Sequence, residues 1–72
     1  PPEIFYLNNT LYFSTTDTAE QKVYLFYSNG EAVPGFPVYG KSAVDMVNSD
    51  KDKALEMVVA TEDNSLLIYE VN

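Results

Sequence analysis

The 72-residue chain contains no cysteine, no histidine, no tryptophan and no arginine, its four basic residues all being lysines. Without thiols or imidazoles there is no disulfide, no zinc site of the usual kind, no thiol nucleophile and no imidazole base. Cysteine usage therefore carries no information on redox compartment. The missing arginines remove the planar forks that grip phosphates and read base edges. Basic charge is scarce altogether, since eleven Asp and Glu face four Lys, for a net charge of −7 and a pI near 4.1. Nucleic acid is excluded as an expected partner, because phosphate backbones would be repelled. A divalent cation or a basic protein surface suits this field better.

Long hydrophobic runs are absent as well. None approaches the roughly 18 residues that would span a bilayer, and the N-terminal "PPEIFYL" lacks the basic region of a signal peptide. No membrane insertion is expected. The abrupt Pro1-Pro2 start suggests a piece of a longer chain, with any targeting signal elsewhere.

Aromatic residues, by contrast, are plentiful, with six Tyr and four Phe. The apolar residues come in short bursts rich in Tyr, Phe, Val, Leu and Ile rather than at helical spacing, which is an all-β pattern. The bursts predict strands over Glu3–Leu7, Thr10–Thr16, Lys22–Ser28, Phe36–Tyr39, Ser42–Val47, Glu56–Thr61 and Ser65–Val71. "NNT", "TDTAEQ", "NGEAVPG", "NSDKDKA" and "EDN" between them have turn chemistry. In "KVYLFYS" Val23, Leu25 and Tyr27 would face one way and Tyr24 and Phe26 the other; "LEMVVAT" behaves similarly. A sheet with one wet face would alternate, so these strands are expected to be covered on both sides. Pro34 and Pro37 of "PGFP" lack donors and belong on an edge strand, with Gly35 permitting the bend between them.

The chain also repeats itself. Phe13–Asp17 matches Val59–Asp63, and Lys22–Asn29 matches Ser65–Asn72, with a longer hairpin in the first copy. A period in the forties made only of strands is that of a propeller blade.

The run from Val23 to Val71 resembles the FG-GAP and VCBS type of integrin-alpha-like β-propeller repeat, which overlaps with PQQ-like propellers. Asn29-Gly30, "PGFPV" at Pro34–Val38, the acidic loop and Glu56–Thr61 fall in the family's order. The resemblance implies antiparallel meander strands forming about two partial blades, residues 1–39 as one and residues 42–72 as three strands of the next. It implies the C-terminal blades of a larger extracellular, periplasmic or cell-surface protein, and a non-catalytic scaffold or binding module. Its partner would be a protein or carbohydrate surface, or the remaining blades of the parent propeller. Two other readings stand beside it: the closing segment of an enzyme's propeller with catalytic residues elsewhere, and an autonomous β unit that forms a homo-oligomer through exposed strand edges.

Carried over from the family's loop, calcium ligands fall on Asn48, Asp50, Asp52, the carbonyl of Ala54, and Glu56. Calcium takes six to eight oxygens, and alternate side chains plus one carbonyl supply them from a tight loop. Asn48 stands where the family has Asp, and Lys53 where it has Gly, a position that favours a left-handed backbone. The same residues also read as a polar turn, with Asp50 or Asp52 accepting main-chain hydrogen bonds. Glu62 and Asp63 read as a surface turn rather than a catalytic carboxylate pair. Strand cores account for most of the aromatics, and Tyr6 and Tyr39 are the two to watch for a place on a surface.

Overall fold

A computed structural model describes residues 2–48 and 55–71. Seven strands run in sequence order: β1 (Glu3–Leu7), β2 (Thr10–Asp17), β3 (Lys22–Tyr27), β4 (Val38–Tyr39), β5 (Ser42–Asn48), β6 (Leu55–Ala60) and β7 (Leu66–Val71). They form two antiparallel sheets, β1-β2-β3-β4 and β5-β6-β7, and no helix occurs among the described residues.

Local chemistry sets each hairpin. Asn8 and Asn9 both take positive φ, 53° and 62°, the two-residue turn whose twist matches that of the flanking strands. Asn tolerates this region because its short side chain bonds locally. Gln21 and Asn64, at φ 57° and 69°, close the β2–β3 and β6–β7 turns. Asp17 Oδ1 accepts from Glu20 N–H at 3.1 Å in the former.

Most strand limits fall where composition places them, and the departures have causes. The strand predicted from Phe36 begins only at Val38: the Phe36 N–H is used in a turn to Val33 O at 3.3 Å, and Pro37 has no N–H to offer the ladder. β3 stops at Tyr27 because the Tyr27 carbonyl accepts from Gly30 N–H, turning the chain. Thr61 and Ser65, expected within strands, instead bond each other across the β6–β7 turn. The edge beside β3 is built in two pieces, Ala32 bridging Phe26 and Val38–Tyr39 pairing Val23 and Lys22, with the Pro34–Pro37 turn between them.

The core lies between the two sheets. Val23, Leu25 and Val33 from the first sheet and Met57 and Val59 from the second are wholly buried, with Ala43, Met46, Leu55 and Val71 around them. A bulge between Ala43 and Asp45 lets Val44 turn outward, so that Ala43 and Met46, three apart, both face inward. The chain crosses between sheets at Gly40-Lys41: Gly40 N–H donates to Gln21 O of the first sheet at 2.9 Å, and Lys41 N–H to Ala60 O of the second at 2.7 Å. Although the chain leaves the first sheet at the β4 edge, β5 lies against β1 and β2. The crossing therefore returns over the first sheet to its far side.

Of the two-faced strands, one face is buried and the other is not covered. Val23 and Leu25 are in the core, while Tyr24 and Phe26, on the opposite face, stack with ring centroids 6.2 Å apart and remain partly exposed.

Candidate functional site

Of the five residues expected to hold calcium, Asn48 ends β5 and Glu56 lies near the start of β6; Asp50, Asp52 and Ala54 lie outside the described residues. Register places Asn48 opposite Leu55 and Glu56 opposite Val47, one rung further in. Strand alternation therefore puts the two on opposite faces of the sheet. The Asn48 amide donates to Asn8 Oδ1 at 3.3 Å, tying the end of β5 to the β1–β2 turn. Glu56, half-buried on the outer face, pairs across the ladder with Glu70. Among the described residues no three acidic side chains come together in a way that could hold a metal ion.

The second acidic feature is a turn. Thr61, nearly inaccessible at 5 %, donates its hydroxyl to Asp63 Oδ1 and accepts from Ser65 N–H at 3.2 Å. Asp63 Oδ1 also accepts from Ser65 N–H, at 3.2 Å. Hydrogen bonds from Thr61, then from Ser65, hold the Asp63 carboxyl below its ordinary range. Asp63 Oδ1 thus organises the hairpin, which is how a surface turn uses a carboxylate.

The buried polar groups are structural too. Ser14, 1 % exposed, donates to Tyr24 O at 2.8 Å. Tyr69 reaches from the second sheet to the first, its hydroxyl donating to Tyr39 O at 3.0 Å. Tyr12 packs beside Tyr27 with centroids 5.8 Å apart, and burial, then the neighbouring Tyr27, push its phenol pKa upward.

What the molecule does present is apolar surface on the outside of both sheets. Tyr6 and Tyr39 are exposed, and so are Ile4, Leu66 and Ile68. Ile4 and Tyr6 share the outer face of the first sheet with Phe13 and Phe26; Leu66 and Ile68 share that of the second with Val58. Ile4, Leu66 and Ile68 lie outside the two segments read as apolar on both faces; the signal that could have found the latter two is the unbroken apolar run Leu66–Tyr69 in β7. No family model, curated protein or solved structure matches this chain.

Proposed function

We propose that this chain is a non-catalytic β-propeller segment that serves as scaffold or binding module of a larger extracytoplasmic protein. The observation that carries this reading is the stacking of two antiparallel meanders, with the chain leaving the first sheet at its β4 edge and entering β5, which lies against β1 and β2 of that first sheet. Propeller blades are four-stranded sheets of this kind, arrayed radially. The sequence echo and the apolar outer faces support it further, since a blade inside a ring is covered on both sides.

Fold alone does not set activity. The binding reading is supported by the aromatic outer surface. Deleting this segment from its parent protein tests it: partner binding should be lost and any chemistry of the parent retained. Lost turnover with intact binding would support the enzyme-propeller reading instead.

Calcium is the ligand that the loop's oxygen-rich sequence favours. A calorimetric titration of calcium, with Asp50→Ala/Asp52→Ala as control, should give heat that vanishes in the control and a melting temperature that rises with the ion. A folded sample giving neither would leave residues 48–56 as a turn with Asn48 committed to Asn8.

A further inference from the structure

The two uncovered faces are not independent surfaces. In the sequence echo Phe13 falls on Val59, Val23 on Leu66 and Leu25 on Ile68. Val59 is fully buried between the sheets, whereas its counterpart Phe13 stands on the outer face of the first sheet. Val23 and Leu25 are fully buried, whereas their counterparts Leu66 and Ile68 stand 63 % exposed on the outer face of the second. β1 and β5 obey the same correspondence through their registers: Tyr6, 65 % exposed, pairs with Leu11 as buried Met46 pairs with Met57, and Leu11 precedes Phe13 by the same two residues by which Met57 precedes Val59.

The outer face of the first sheet is thus the counterpart of the inner face of the second, and the outer face of the second is the counterpart of the inner face of the first. The seam inside the molecule already joins one face of each type. The two faces left open are again one of each type, in the order that continues the same seam.

We propose that a second copy of this chain docks through these faces, the outer face of β5-β6-β7 in one copy receiving the outer face of β1-β2-β3-β4 in the next. The proposal rests on the stacked-sheet reading above but commits to the occupant. The contact is head-to-tail, so it propagates until it closes into a ring or remains open as a filament. Rings of about four to eight sheets are the range seen for propellers, which with two sheets per chain means about two to four copies.

A head-to-tail seam is tested by complementation. Ile4→Glu/Tyr6→Glu spoils one face, and Leu66→Glu/Ile68→Glu spoils the other. All four positions are solvent-exposed, so each variant should keep the wild-type circular dichroism spectrum. By sedimentation velocity over a concentration series, the wild type should run as a dimer or larger, and each variant alone at the 8.1 kDa monomer mass. Mixed one to one, the two variants should form a heterodimer through their remaining intact faces. Should a glutamate variant fail to fold, Tyr6→Ser and Ile68→Ser take their places with the same expected pattern. A monomeric wild type at its solubility limit would overturn the proposal. So would self-association of either variant alone, the mark of a face pairing with its own kind, or a mixture that stays monomeric. None of these outcomes touches the segment-deletion test, which judges the propeller reading separately.

Discussion

At the scale of single residues, the tightest constraint is Gly40. A Cβ built there would stand 2.0 Å from Val59 Cγ1 and 3.1 Å from Val23 Cγ2, one neighbour in each sheet. Neither can yield, since both are fully buried. Gly40→Ala is expected to cost about 1–3 kcal/mol as an overpacking change, measured by denaturant unfolding. Asp63 acts through charge. Its folded pKa is lowered, so its contribution is present above the unfolded value and lost as pH falls through the folded one. Asp63→Ala should therefore melt below wild type at neutral pH, with the difference shrinking as the solution is acidified. Equal melting temperatures across the range would mean that the Thr61–Asp63–Ser65 bonds contribute nothing.

At the scale of elements, turns and edges decide. Asn9 holds φ 62° with only a 3.5 Å contact from the Tyr6 hydroxyl, so Asn9→Gly relieves backbone strain at little loss and should raise stability by about a few tenths of a kcal/mol. Asn8 differs, because its side chain receives the Asn48 amide. Glu56 and Glu70 lie directly opposite on adjacent strands, a like-charge pair that weakens the ladder. Glu70→Lys should recover about 0.2–1 kcal/mol in an equilibrium melt, the usual scale of such cross-strand pairs. Strand positions were legible from the apolar bursts because a strand needs few residues and its turns carry Asn, Asp, Gly and Pro. The start of the edge strand was not: the pattern "PGFPVY" does not mark it, and only the hydrogen-bond geometry shows that Phe36 serves a turn while Val38 begins the pairing. The candidate metal residues were carried over from the loop of the family the chain resembles, and that correspondence does not reveal that Asn48 and Glu56 leave their strands on opposite faces.

At the scale of the whole molecule, one thin core holds two sheets. A domain of this size has a total stability of roughly 4–11 kcal/mol. Met57→Ala, emptying a fully buried site, should remove about 2–5 kcal/mol of it, enough to populate the unfolded state at modest denaturant. The same truncation at Leu66, largely exposed in the single chain, should cost little in dilute solution. It should cost more as protein concentration rises, if copies cover that face.

By itself the sequence determined the all-β class, the places of the seven strands and the turns between them. These follow from side-chain period and backbone preference, which are properties of neighbours along the chain. It also determined that β3 and β6 would be apolar on both sides. Tertiary structure alone decided which side became core. Val23 and Leu25 are buried while Tyr24 and Phe26 are not because the crossover at Gly40 brings the second sheet onto one face of the first, and burial depends on what arrives from elsewhere in the chain.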